Sequence, residues 1–586
     1  MRQLPDCRYL LGGLSFMKVS PAYVHGCTFS SPAGEVRAMT AHEVLPAFRL
    51  LERQLEAGLH AAGFVSYEAA GALNGDLVTR VPGSLPLLWF GLFENRSEEP
   101  FASLDHPFHC NDWQPSLNEA GFSGAVRAIR EFISAGDCYQ VNFTMRQRFS
   151  FTGCPRSFFE VLRRCQPTPY SSYLETGEYR ILSASPELFF SLSEGVLTTR
   201  PMKGTASRGR WFQEDQAQKE NLKRSPKELA ENLMIVDLLR NDMGMVSRTG
   251  SVQVRSLFDV ETHPTVHQMT STIESRLKEG VGALELFQAL FPCGSVTGAP
   301  KRRSMEIIAG LESDPRGLYT GCIGYFSPGG EAKFSVAIRT AVLDLASGQG
   351  EIGIGSGITF DSVAGDEYAE SLSKGRFARQ TPLEFHLIES LLYDGGYFLL
   401  DRHLERLARS ADYFSFPLPA GAARRALEQL IPDLSGDTRH KVRLLLFKDG
   451  SIGCESAPVQ DAAQDATAAF AKASVDSAEP FLYHKASLRE LYTRELAGRP
   501  EVSEVIFVNE RGEVTEGTYS NIVALAGGKL LTPPLSSGLL PGTFREELLA
   551  SGEIEERSLT RRDLERAEAV YLINSVRKWR RVRLVS

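Results

Sequence analysis

Hydrophobic positions along the chain fall into short blocks with changing periods. Gly63-Phe-Val-Ser-Tyr67-Glu68 and Pro86-Leu-Leu-Trp-Phe-Gly-Leu-Phe93 are compact apolar runs that predict buried strands, so residues 1 to about 110 read as short strands and turns. Phe122, Val126, Ile129 and Ile133 then recur at helical spacing. Ala135-Gly136-Asp137 breaks that helix, and Tyr139 to Thr144 alternates as a strand. Leu229 to Leu239 reads as a helix with Glu231 near its beginning. Residues 456 to 480 are rich in Ala, Asp and Gln with few large apolar groups, which predicts a linker between two lobes.

The pattern changes character between Lys374 and Thr381. The organisation it predicts is an N-terminal part (1–110) and a catalytic part (111–378) of one domain, followed by a second domain (379–586). That second domain has a small lobe at about 383–475 and a large lobe at about 480–586.

At 586 residues the chain exceeds a single core, in line with two or more domains. A hydrophobic content of 42% with 23% charged residues describes a globular protein. The net charge of −8 argues against a nucleic-acid surface, which needs a basic stripe. The start, Met1-Arg-Gln-Leu-Pro-Asp-Cys7, has no apolar leader, and no apolar run approaches the ~20 residues of a membrane helix. The expectation is a cytoplasmic protein with no membrane contact. Nine cysteines without a C-x-x-C pair suggest buried small side chains in place of disulfides or zinc.

The most informative string is Pro201-Met202-Lys203-Gly204-Thr205, a lone amine between turn-forming residues. It is followed by Ala230-Glu231-Asn232 running to Asp237 and Arg240-Asn241-Asp242, then by Gly294-Ser295-Val296-Thr297-Gly298-Ala-Pro-Lys301. Ala337-Ile-Arg339-Thr340, Gly355-Ser-Gly357 and Glu367-Tyr-Ala-Glu370 complete the series. Together these motifs resemble the chorismate-utilising enzymes, in particular the aminodeoxychorismate synthase branch.

That resemblance implies an α+β fold of antiparallel sheets with outer helices, and chorismate as substrate. It makes Glu231 and Glu370 ligands of Mg²⁺, with Glu367 one helical turn away on the same face. Arg339 and Tyr319 match contacts to the pyruvyl carboxylate, for which a guanidinium fork is suited. Ser295, Thr297, Gly355, Gly357 and Lys374 match the rest of the substrate pocket. Lys203 matches the nucleophile that attacks C2 of chorismate, and Glu187 the acid that protonates the departing C4 hydroxyl, for which burial should raise its pKa. Anthranilate synthases carry alanine in place of this lysine, so Lys203 points to 4-amination. In Val266-His267-Gln268-Met269-Thr270-Ser271, Gln268 stands where relatives have histidine; it can only hydrogen-bond the ring hydroxyl, and His267 is expected outside the site. No glutaminase segment is recognisable, so ammonia is expected from a separate glutamine amidotransferase subunit.

After residue 380 the ordered strings are Asp401-Arg-His403-Leu-Glu-Arg406, Tyr483-His484-Lys485, Gly512-Glu513-Val-Thr-Glu516-Gly517, Pro541-Gly542-Thr543-Phe544-Arg545 and Asn574-Ser575-Val-Arg577. They resemble the fold-type IV pyridoxal-phosphate enzymes, a two-lobed α/β fold that includes branched-chain and D-amino-acid aminotransferases and 4-amino-4-deoxychorismate lyase. The resemblance implies that Lys485 holds the cofactor covalently and moves protons, and that Glu516 pairs with the pyridinium nitrogen. Arg406, backbone N–H groups of Thr543 and Phe544, and Ser575 would bind the phosphate. Members are usually dimeric, which makes a homodimer through this domain an expectation.

A lyase here would consume the product of the first domain, so the fusion itself implies a bifunctional enzyme of 4-aminobenzoate (folate) biosynthesis. The alternatives are an anthranilate synthase-like component joined to an aminotransferase, and a non-catalytic subunit that senses chorismate or tryptophan.

Overall fold

The computed structural model describes residues 19–434, 438–459 and 466–585. The N-terminal heptapeptide considered above lies outside the described residues. The chain divides into two compact units, the first made of Met1–Thr205, Leu222–Thr262 and His267–Pro382, the second of Ala206–Asn221, His263–Val266 and Leu383–Ser586. No helix among the described residues is long and apolar enough to cross a membrane.

In the first unit, eighteen strands join in antiparallel ladders. The long strand Gln140–Gly153 pairs over ten residues with Gln349–Ile358, so that Val141 faces Ile358 and Gly355 faces Thr144. Cys322–Ser327 pairs on one side with His60–Val65 and on the other with Glu331–Val336. Leu88–Ser97 is a strand as its apolar run predicts, and Phe122, Val126 and Ile129 form the buried stripe of the helix Glu119–Ser134.

The strand-and-turn expectation for the N-terminal part misses the helix Ala41–Glu56. Its Val44, Ala47, Phe48 and Leu51 are buried at helical spacing, and Glu43 returns to accept from the Thr40 N–H at 3.0 Å. Pro46 inside it hides the helix from a reading by propensity. The helix Pro226–Val246 is also twice as long as the apolar run Leu229–Leu239, because Ser225 caps its start and accepts from Glu228 N.

The second unit contains a three-stranded antiparallel sheet, Leu387–Tyr393, His440–Leu446 and Ile452–Pro458, covered by the helices Leu400–Phe414 and Ala422–Leu430. It also contains an eight-stranded mixed sheet. Pairing of Glu516 with Asn521 closes six of its strands into a ring. One expectation fails here. Ala466–Phe470, placed by composition in a linker, is a buried strand lying parallel to both Glu504–Val508 and Lys578–Leu584. Ala466, Ala468 and Phe470 pack into one apolar cluster and Ala469 into another, so both faces of the strand are covered.

Candidate active sites

In the first unit, a cavity of about 260 Å³ is lined by Glu187, Lys203, Glu231, Arg339 and Glu370 among others. Ser295, Tyr319, Gly355, Gly357, Glu367 and Lys374 also reach it. Thr297 does not. Its hydroxyl is buried and turned back onto the carbonyl of Gly294 at 3.2 Å, so it shapes the loop that presents Ser295.

Lys203 projects from the strand Met202–Ser207. Its Nζ lies 3.3 Å from Glu231 Oε2. The strand is pinned from below, because Asn232 Nδ2 donates to the Lys203 carbonyl at 2.9 Å and Ser271 Oγ donates to Asn232 Oδ1 at 2.6 Å. Gln268 donates to the Gly204 carbonyl at 2.7 Å and accepts from Thr205 Oγ1 at 3.0 Å. Gln268 also lines the cavity, so besides facing the space where a ring hydroxyl was expected it braces the lysine strand. His267 is fully buried and does not line the cavity. Glycine leaves room opposite the amine: a Cβ at Gly357 would lie 2.7 Å from Lys203 Nζ and 2.1 Å from Gln140 Nε2, so both side-chain ends would have to move.

Glu187 is buried and accepts from Ser295 Oγ at 2.6 Å. Burial raises its pKa to about 7, against the opposing pull of the Ser295 hydroxyl, the Met202 backbone and the Lys203 charge. A carboxyl in that range can hold a proton at neutral pH and give it up.

Arg339 sits in the left-handed region, φ 48°, an uncommon conformation for a non-glycine residue that occurs at ligand sites. Its guanidinium hydrogen-bonds Gln166 Oε1. No carboxylate pairs with it among the described residues, and burial lowers its pKa to about 10. An enclosed cation without an anion invites an anionic ligand. The Tyr319 ring rests against Gly353, where a Cβ would come within 2.0 Å of it, and Arg146 stacks 5.2 Å from its centre.

The three glutamates read as metal ligands face the cavity, each already engaged. Glu231 pairs with Lys203, Glu370 with Lys374 at 2.7 Å, and Glu367 accepts from Ser362 Oγ at 2.7 Å. No group of three or more His, Cys, Asp or Glu side chains poised to share a metal occurs among the described residues. Glu228, which the sequence reading passed over, also lines the cavity. Burial and the nearby charge of Glu231 raise its pKa.

In the second unit, a cavity of about 460 Å³ brings together Lys485, Glu516, Arg406, Thr543 and Ser575. Burial, then the charges of Arg489 and Arg406, depress Lys485 to about 7, which makes a neutral amine accessible. Glu516 accepts from Tyr492 Oη at 2.8 Å and from the Leu540 N–H at 3.1 Å. Burial raises its pKa.

Arg406 is held by Glu389 through two hydrogen bonds of 2.9 and 2.7 Å and donates to the Pro541 carbonyl at 2.9 Å. Glu389 also meets His403 Nδ1 at 2.6 Å, and His403 Nε2 contacts Thr543 Oγ1 at 3.2 Å. Glu389 was legible only as a lone carboxylate in the apolar strand Leu387–Tyr393.

The helix Thr543–Ala550 begins at the cavity, with Gly542 as a cap that has no side chain to occupy the first N–H groups. A Cβ at Gly542 would lie 1.9 Å from Asn521 Oδ1. This end of the helix suits a phosphate. The Phe544 side chain itself packs away from the cavity with Leu548 and Ile573, leaving its backbone as the part available there. Ser575 Oγ donates to the Ser390 carbonyl at 3.1 Å.

Comparison with known proteins agrees with this division. Residues 22–380 match the chorismate binding enzyme family, and residues 387–585 match amino-transferase class IV, which implies pyridoxal phosphate. The aminodeoxychorismate synthase component 1 of Bacillus subtilis is 44% identical over 278 residues, covering 47% of this chain and 58% of that protein. The anthranilate synthase component 1 of Aquifex aeolicus is 40% identical over 268 residues, covering 45% and 53%. The chain thus spans little more than half the length of these curated relatives. A crystal structure of anthranilate synthase component I from Streptococcus pneumoniae aligns at a TM-score of 0.54 and 26% identity, over 65% of this chain and 96% of that one.

Proposed function

The chain belongs to the chorismate binding enzyme family, and from that premise we propose that it makes 4-aminobenzoate in two steps. The first unit aminates chorismate to 4-amino-4-deoxychorismate with ammonia from a separate glutamine amidotransferase subunit. The second then releases pyruvate from that product. The reading rests on one observation above all: Lys203 and the acid Glu187 open onto the same cavity as the unpaired Arg339.

In this reading Lys203 attacks C2 of chorismate while the ring double bond shifts and the C4 hydroxyl leaves as water, taking its proton from Glu187. Ammonia then enters at C4 as the C2–N bond breaks, which returns the amine to Lys203. Arg339 and Tyr319 orient the pyruvyl carboxylate. Glu231 and Glu370 are hard-oxygen donors partnered by lysines, a donor set that fits Mg²⁺ with waters and substrate filling its other positions. Bound there, the ion would neutralise the ring carboxylate.

In the second unit the first turn of Thr543–Ala550, Arg406 and Ser575 would seat the phosphate of pyridoxal phosphate, Lys485 would anchor it, and Glu516 would hold its ring nitrogen. The cofactor supplies an electron sink. The remaining chemistry is an elimination: Lys485 takes the proton from C4 of the substrate, the C3–O ether bond breaks as the ring becomes aromatic, and the departing enolpyruvate gains a proton at its methylene carbon. 4-Aminobenzoate and pyruvate together have the same atoms as the substrate, so no oxidant or water is consumed.

The purified chain supplied with chorismate, Mg²⁺, ammonium and pyridoxal phosphate should yield 4-aminobenzoate and pyruvate by mass. Anthranilate as the aromatic product would replace this reading with the anthranilate synthase alternative.

A further inference from the structure

The cavity of the second unit carries more positive charge than its cofactor requires. Six cationic side chains line it, against two carboxylates. Arg406 is bound to Glu389, Arg580 donates to Glu504 at 3.0 Å, and Lys485 and Glu516 have roles at the cofactor.

Of the three remaining cations, Arg489 donates to the Thr518 carbonyl and lies over the Tyr492 ring, while Lys441 and Arg577 have neither a carboxylate partner nor a side-chain hydrogen bond among the described residues. They come from different sheets. Lys441 stands near the start of the strand His440–Leu446, and Arg577 in the turn between Ala569–Asn574 and Lys578–Leu584. Arg577 is held there by its backbone N–H, which donates to Asn574 Oδ1 at 2.8 Å, so the turn aims the residue while its guanidinium stays available. Desolvation, then the charges of Arg443 and Arg577, lower the Lys441 pKa. The two cations therefore repel one another across the cavity wall, and an anion between them would relieve that repulsion. Few apolar side chains are present to receive an aliphatic substrate, the main ones being Leu540, Ile573 and Val576.

We propose that Lys441 and Arg577 form a carboxylate clamp that selects a dicarboxylate substrate for the second unit over a monocarboxylate amino acid. This rests on the lyase reading, whose substrate carries one carboxylate on the ring and one on the enolpyruvyl ether. Once the cofactor phosphate has taken Arg406 and the helix N-terminus, the two cations that no protein group engages match the two carboxylates of that substrate. A branched-chain amino acid would leave one cation unanswered and would meet polar walls where it needs apolar ones.

The test uses the full chain loaded with pyridoxal phosphate, as Lys441→Gln, Arg577→Gln and the double variant. Visible cofactor absorbance verifies that each is loaded and folded. Two readouts are taken: KM for 4-amino-4-deoxychorismate in the lyase assay, and competitive binding of 3-(carboxymethoxy)benzoate against 3-methoxybenzoate, followed by the cofactor spectrum. Each single variant should raise KM about tenfold with kcat changed little, and the double variant should lose the preference of the wild type for the dicarboxylate. An unchanged KM and an unchanged preference in the double variant would overturn the clamp and leave the lyase reading standing. A wild-type chain that prefers the dicarboxylate, and loses that preference in the variants, yet releases no 4-aminobenzoate would support the clamp and overturn the lyase reading.

Discussion

Lys203 Nζ and Glu231 Oε2 lie 3.3 Å apart, which places the proposed nucleophile in contact with a proposed metal ligand. A cation taken up by Glu231 would compete with Lys203 for the same carboxylate, so the proposed metal and the proposed nucleophile would be coupled. Replacing Lys203 by Ala should abolish amination, by 10³-fold or more on the order expected for a covalent nucleophile, and leave chorismate binding largely intact because Arg339 remains. Near wild-type turnover of Lys203→Ala with ammonium would remove its covalent role. Glu231→Gln and Glu370→Gln should each weaken Mg²⁺ binding, read as a rise of about tenfold in the Mg²⁺ concentration for half-maximal rate. Activity that does not depend on Mg²⁺ in the wild type and is unchanged in both variants would refute the metal assignment.

Glu187 provides a pH signature. Burial raises its pKa to about 7, and a general acid works only while protonated, so its working form is filled below about pH 7 and lost above it. Amination measured at constant free ammonia should fall by ~tenfold per pH unit once well above neutrality. Glu187→Gln should be slow at every pH and show no such limb. The same limb persisting in the Gln variant would assign the acid elsewhere.

Lys485→Ala should separate the two activities. The variant is expected to lack the visible absorbance of covalently held cofactor, while the first unit, which shares none of these residues, still consumes chorismate. 4-Amino-4-deoxychorismate would then accumulate, and 4-aminobenzoate would form only on adding a separate lyase. Release of 4-aminobenzoate at the wild-type rate by Lys485→Ala would show that the second unit is not the lyase.

Glu389 holds two partners in the phosphate region and should matter for stability as well as for cofactor affinity. Breaking a buried ion pair costs about 3–5 kcal/mol, so Glu389→Ala should lower the unfolding midpoint of the second unit and loosen pyridoxal phosphate. Despite burial, the Arg406 charge and the His403 hydrogen bond hold the Glu389 pKa down at about 2, against an ordinary 4.5. A depressed carboxylate adds stability above its unfolded pKa, which is lost as pH falls through the folded value. The wild type should therefore lose this contribution between about pH 4.5 and pH 2, and Glu389→Ala should show no loss in that window by denaturant titration.

The sequence by itself settled those features that depend on local order. Helical spacing gave Glu119–Ser134, apolar runs gave the strands around Gly63 and Trp89, and the motifs placed nearly all proposed residues of both cavities, because glycines and charged groups in fixed strings mark close approach and ligand contact. It did not determine whether a polar side chain faces a cavity or its own backbone. Thr297 and Gln268 sit within motifs, yet the first turns onto Gly294, while the second lines the cavity and also grips the Lys203 strand. The Gln268 grip joins residues 64 apart in sequence, which only folding brings to 2.7 Å. Ala466–Phe470 shows the same limit from the other direction. Its small residues look like a linker until strands from residues 504 and 578 onward pair with it and apolar clusters cover both of its faces. Glu389 needed the tertiary structure most: a carboxylate in an apolar strand becomes intelligible once Arg406 and His403, a helix away, close around it and share its charge.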